Sequence, residues 1–289
     1  MADLLVQQAV NGISTGMIYA LVALGLTLIF GVMHVINFAH GEVFMMGAFV
    51  TVVAGQGLLG LPYPLAVLLA VAAMAIAGWV IDLAAVRPLL NRAEGQTDVL
   101  LSTFAVSLLL ADTVLASHGP APAFAPGWEG SLTIGSLTIA AQRVLVVAVG
   151  VGLVVLLEMV LRRTDFGRHL RAVAQDRFAA RAVGIDVERV GSATFVAASA
   201  CAGLAGALVA PVTMFSPGMG HQVIIMAFVV VVAGGMGSVT GAVVCGVALG
   251  VFESLASVFI PQSMASVTVF ALLLVLLLVR PQGLFGQRR

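Results

Sequence analysis

Asn37, His40 and Glu42 stand within six residues of one another, between two long apolar runs. An amide, an imidazole and a carboxylate can hold a polar solute, relay a proton or cap a helix, and at membrane depth each is costly unless it is paired or lines a cavity. Two roles fit them equally: a place beside a translocation path, or a turn in which Asn37 caps the following helix while Gly41 lets the chain bend. Asn11, Thr15 and Tyr19 recur every four residues on the first apolar run, so a helix places them on one face with the same two roles open.

Other chemistries lack their residues. All thirteen basic residues are arginine, so no lysine is present to reach the phosphates from a Walker A loop. Gly234-Gly-Met-Gly-Ser238 is glycine-rich but lies between apolar runs, which reads as a break between packed helices. Cys201 and Cys245 sit in apolar stretches without metal or redox spacing. No Ser/His/Asp or Cys/His arrangement is evident, so no catalytic residue, metal or cofactor is expected and an enzyme is the least supported class.

The elements that must position these residues follow from composition. Of 289 residues, 61% are hydrophobic and 9% charged, where a soluble domain carries about 25% charged residues. The surplus apolar surface needs lipid, and the formal net charge of zero argues against nucleic acid. The expectation is an all-α polytopic membrane protein forming one domain over 1–289, its first segment retained as a span rather than removed as a signal. Runs of about 20 apolar residues give roughly nine candidate spans, near 9–33, 41–58, 64–84, 98–117, 143–161, 192–212, 222–236, 240–259 and 264–279. Arginine-rich segments stay in the cytoplasm. Arg87 and Arg92, the stretch Arg162–Arg189, and Arg280, Arg288 and Arg289 then place the N-terminus outside and the C-terminus inside, with Arg143 the exception.

Between His118 and Gln142, two alternating triplets in Leu132–Ile139 joined by Gly135-Ser136 predict a small hairpin. It could meet a partner or simply pack over helix ends. Gly12/Gly16, Gly237/Gly241 and Gly246/Gly250 have the small-xxx-small spacing of close helix packing. Asp82, Asp112, Glu158 and Glu253 lie near span ends, where snorkelling or interhelical bonds account for them.

The segment 162–190 is too polar to cross lipid, and from Arg162 to Arg189 it carries seven arginines and four acids. Arg171–Val183 has good helix formers and Gly184 stands where a C-terminal cap belongs. The expectation is one helix with Ala174, Phe178 and Ala182 as an apolar stripe, and with Arg177 and Arg181 repelling each other at four-residue spacing. A solvated basic loop is the plainer alternative.

The run Arg171–Asp186, especially Ala179-Ala-Arg-Ala-Val-Gly-Ile-Asp186, resembles the cytoplasmic coupling loop of ABC importer permeases. Gly25-Leu-Thr-Leu-Ile-Phe-Gly-Val-Met-His-Val-Ile-Asn-Phe-Ala-His-Gly-Glu42 resembles the LivH-type permeases of branched-chain amino acid importers, as do Gly234–Ser238 and Arg280-Pro-Gln-Gly-Leu-Phe-Gly286. The resemblance implies a permease subunit in the inner membrane, with a second related permease, two cytoplasmic ATPase subunits and a periplasmic solute-binding protein. It implies ATPase coupling through Arg171, Asp176, Arg177, Phe178, Arg181 and Gly184. Permeases of this type are associated with leucine-type amino acids, amides, urea and aromatic acids. The rival class is an ion-coupled secondary transporter, which would hold paired acids at mid-membrane.

Overall fold

The computed structural model describes residues 1–56, 59–90, 92, 94–134 and 137–286. Helix α1 (Ala2–Met33) is followed by α2 (His40–Gln56) and α3 (Tyr63–Ile81). A π-turn (Asp82–Val86) joins α3 to the single turn α4 (Arg87–Leu90), and α5 runs Gly95–His118. Strands β1 (Ser131–Ile134) and β2 (Leu137–Ala140) precede α6 (Ala141–Arg163). The arginine-rich segment forms α7 (Asp165–Gln175) and α8 (Arg177–Ala182), after which come α9 (Val187–Val209), α10 (Met219–Gly234), α11 (Val239–Ala256) and α12 (Gln262–Val279).

The nine predicted apolar segments fall largely on α1, α2, α3, α5, α6, α9, α10, α11 and α12, although the end of the second, Gly57 and Leu58, lies outside the described residues. Six helices among the described residues are long and apolar enough to cross a membrane. The expected count of nine is therefore not established. The 16 residues of α10 rise about 24 Å at 1.5 Å per residue, short of a hydrocarbon core about 30 Å thick.

Helix α1 is the hub. Of its most apolar stretch 83% is buried, against 11% for α6, so α1 forms the centre while α6 turns most of its surface outward. It packs on α11, α9, α10 and α6. At the seam with α11, a Cβ on Gly16 would come within 2.7 Å of the Gly246 carbonyl oxygen, and one on Gly246 within 2.8 Å of the Ala20 backbone. Without a hydrophobic force between helices in lipid, such backbone approach supplies the packing. The pair Gly237/Gly241 behaves otherwise: Gly241 meets Gly234, whereas Gly237 lies in the α10–α11 break at φ +88°. The C-terminal run docks there, Leu284 N–H donating to Ala233 O at 2.8 Å and Phe285 N–H to Gly234 O at 3.1 Å, so it occupies carbonyls that end α10.

The hairpin forms in the register Leu132↔Ile139 and Thr133↔Thr138; its predicted Gly135-Ser136 turn lies outside the described residues, as do Arg288 and Arg289. Gln7 of α1 grips β2, its Nε2 donating to Thr138 O at 2.9 Å and its Oε1 accepting from Thr138 N at 3.2 Å. That contact pins the hairpin over the end of α1.

The single helix expected from Arg171 to Val183 is a correction. Asp176 takes an extended conformation, φ −156° and ψ 109°, and divides the segment into α7 and α8. Its carboxylate accepts from Phe178 N at 2.8 Å and Ala179 N at 3.0 Å. Asp prefers this capping role to a helix interior, where its side chain competes for backbone donors. The stripe Ala174, Phe178, Ala182 is broken with the helix. Gly167, Leu170 and Val173 of α7 and Ala180 of α8 are the buried positions instead.

Candidate functional site

The surface segment α7–α8 is fixed at every end. Thr164 Oγ1 accepts from Gly167 N at 3.2 Å to start α7, and Arg171 donates to the Leu161 carbonyl near the end of α6. Asp176 starts α8, and Gly184 at φ +87° ends it. Ile185 N bonds back to Ala180 O and Gly184 N to Arg181 O, both at 3.1 Å, which is a Schellman closure. Asp186 then starts α9, accepting from Arg189 N at 3.0 Å. Such a chain of caps holds α8 in place although it has only 6 residues.

On this fixed helix Phe178 is 84% exposed and the adjoining Val183 77%. Arg181 is exposed beside them, whereas Arg177 is half-buried. Burial, and then repulsion from Arg181, pull the Arg177 guanidinium below its ordinary value, and the carboxylate of Glu188 pushes it back up. Glu188 of the same chain thus offsets part of the Arg177/Arg181 repulsion. Of the predicted coupling residues, Arg171, Asp176 and Gly184 hold the segment together, and Phe178 and Arg181 face outward.

Asn37, His40 and Glu42 are all buried but turn to different neighbours. Asn37 Oδ1 accepts from Ala39 N at 3.1 Å, closing the turn into α2. His40 Nε2 lies 3.1 Å from Val22 O and ties α2 to α1. Glu42 lies against Gly220 of α10. Their other polar atoms, Asn37 Nδ2, His40 Nδ1 and Glu42 Oε2, make no hydrogen bond among the described residues. Asn11, Thr15 and Tyr19 do share a half-buried line on α1. Thr15 Oγ1 donates back to Asn11 O at 3.2 Å, and Arg143, the arginine left outside by the charge pattern, reaches the same carbonyl at 3.4 Å. Tyr19 donates to Glu253 Oε2 of α11 at 2.9 Å, and Ser266 of α12 donates to Oε1 at 2.7 Å.

The family described as "Branched-chain amino acid transport system / permease component" matches residues 8–278. The chain belongs to this family. The permease is 33% identical to the high-affinity branched-chain amino acid transport system permease protein LivH of Escherichia coli (strain K12), over 97% of its own length and 95% of that protein. The same figures hold for BraD of Pseudomonas aeruginosa, a high-affinity branched-chain amino acid transport system permease protein. A probable branched-chain amino acid transport permease protein LivH of Methanocaldococcus jannaschii is 29% identical over 92% of the permease and 88% of that protein. With six helices among the described residues long and apolar enough to cross a membrane, the permease is a multi-pass membrane protein.

Three polar knots tie the helices of the permease together, and the sequence did not give their partners. Asp82, for which snorkelling and interhelical bonds were both open, takes the second course: it is 1% exposed and bound to Ser192 of α9 and Arg87 of α4. Glu253, read the same way, is buried and joins Tyr19 to Ser266. Gln142, not singled out at all, is a buried clamp: its Nε2 donates to the Tyr63 hydroxyl at 2.7 Å and Leu208 O at 3.1 Å, and its Oε1 accepts from Trp128 N at 3.0 Å. A glutamine at the start of an apolar run was the available signal.

Proposed function

We propose that the permease is one membrane half of an ATP-driven importer for branched-chain or other small amphipathic amino acids. Its partners are a second related permease, two cytoplasmic ATPase subunits and a periplasmic solute-binding protein. The observation that carries this reading is α8, a rigidly capped surface helix with an outward phenylalanine and basic neighbours, a form suited to a groove in another protein. The named relatives support the substrate class, and the solute-binding protein does most of the selecting. In this reading the outer hairpin is available to that protein, and the half-buried line Asn11, Thr15, Tyr19 lies beside the path.

The permease has no nucleotide site of its own in this reading, because no lysine is available for a phosphate loop. The purified chain, verified free of other subunits, should therefore hydrolyse no ATP, as measured by phosphate release. Sustained turnover by such a preparation would refute it.

The arginine pattern places the N-terminus outside and the C-terminus in the cytoplasm. Cys201 and Cys245 are free and buried. In a background without them, single cysteines at Gly130 and Gln175 should react with an impermeant thiol reagent from opposite faces, Gly130 from outside. Reaction of both from one face would exclude this topology.

A further inference from the structure

Helix α3 does not end as an ordinary helix. In the π-turn after it, Arg87 N–H bonds to Asp82 O, five residues back, and such bulges gather at functional sites. Asp82 and Arg87 are thereby brought together toward α9. There Ser192 Oγ donates to Asp82 Oδ2, and Arg87 donates to Ser192 Oγ while standing 3.5 Å from the same carboxylate oxygen. Asp82 is 1% exposed, and its Oδ1 and Arg87 Nε make no hydrogen bond among the described residues. The cluster opens on a narrow cleft that Arg177 of α8 and Glu188 of the first turn of α9 also line. Helices α8, α9 and the end of α3 thus meet around two acids and two arginines.

Holding three helices together does not require such a cluster, since apolar residues of similar volume serve stability as well as a buried ion pair. Charges in contact add sensitivity to register. A shift of α8 would move Arg177 relative to Glu188, at the start of the helix that carries Ser192. Beyond the cluster α3 and α9 pack closely, where a Cβ on Gly203 would lie 2.6 Å from the Met74 side chain. We propose that Asp82, Arg87 and Ser192 are positioning residues that pass displacement of α8 to the α3–α9 pair. The proposal rests on the reading of α8 as the helix that meets the ATPase.

The test is the amount of solute moved per ATP hydrolysed by the assembled transporter in proteoliposomes. Ser192→Ala deletes one hydroxyl, so it should assemble normally and lower that ratio about tenfold, within the usual range for coupled sites. Asp82→Asn combined with Arg87→Gln leaves no uncompensated charge and should also assemble, yet remain uncoupled. A cluster that only stabilises the fold predicts the reverse, a normal ratio in both. A wild-type ratio in either variant overturns the proposal, and Ser192→Ala decides alone if the double variant does not assemble. Phe178→Ala separates the two levels: if it uncouples transport while Ser192→Ala does not, only the relay is wrong. If Phe178→Ala changes nothing, the reading of α8 fails first.

Discussion

Phe178→Ala is expected to weaken association with the ATPase subunits by about 2 kcal/mol, the cost of truncating an aromatic anchor in a groove, or to leave hydrolysis uncoupled from uptake. That loss corresponds to about a thirtyfold weaker complex. At 84% exposure Phe178 packs little against its own chain, so insertion and stability should be unchanged. Co-purification and uptake by the assembled complex measure the effect. Arg181→Glu, on the same face, should weaken association too, since a basic residue beside the anchor would meet acids on the partner. Wild-type association and uptake in both variants would reduce α8 to a solvated surface turn.

Gly206→Leu should abolish accumulation of folded permease. A Cβ at Gly206 would sit on the Phe44 carbonyl and 2.9 Å from Ala48 N, both backbone atoms of α2. Backbone cannot move aside as a flexible side chain can, so the helices must separate. Overpacking costs about 1–3 kcal/mol in ordinary cores and more where nothing yields, and here the surrounding α2–α9 seam would open as well. Size-exclusion profiles in detergent should show aggregate or no protein. A monodisperse peak with the wild-type melting temperature would mean that α2 and α9 are not in this contact.

The helical elements were legible because apolar runs of span length leave few other structures in lipid. The hairpin was legible from alternation over 132–139 and the Gly-Ser between its triplets. The Gly184 cap was legible because the chain needs a left-handed residue there. The break at Asp176 was hidden by composition, for Arg171–Val183 is rich in helix formers and the propensity of a single aspartate is a weak signal. The Asp82–Arg87 pair was hidden by geometry: five residues apart on an α-helix are about 140° apart in direction, and only the π-turn brings them together. Tyr19 stood out as a polar position on α1, but its partner Glu253 belongs to α11 and is bound in turn by Ser266 of α12, and no spacing rule on one helix points to another. The Asn37, His40, Glu42 group illustrates the converse. Close in sequence, they part in space, where helical rotation sends His40 to α1 and Glu42 to α10.

Buried carboxylates inside the helical bundle, Glu42 and Glu253, keep the ion-coupled transporter as the rival to exclude. The deciding measurement is uptake of labelled leucine into proteoliposomes holding the permease with its second permease and ATPase subunits, supplied with the solute-binding protein and studied with and without ATP inside and an ionophore. The account predicts uptake that requires internal ATP, is lost when the permease is omitted, and persists when the ionophore collapses ion gradients. Uptake by the permease alone, driven by a proton or sodium gradient without ATP, would contradict it.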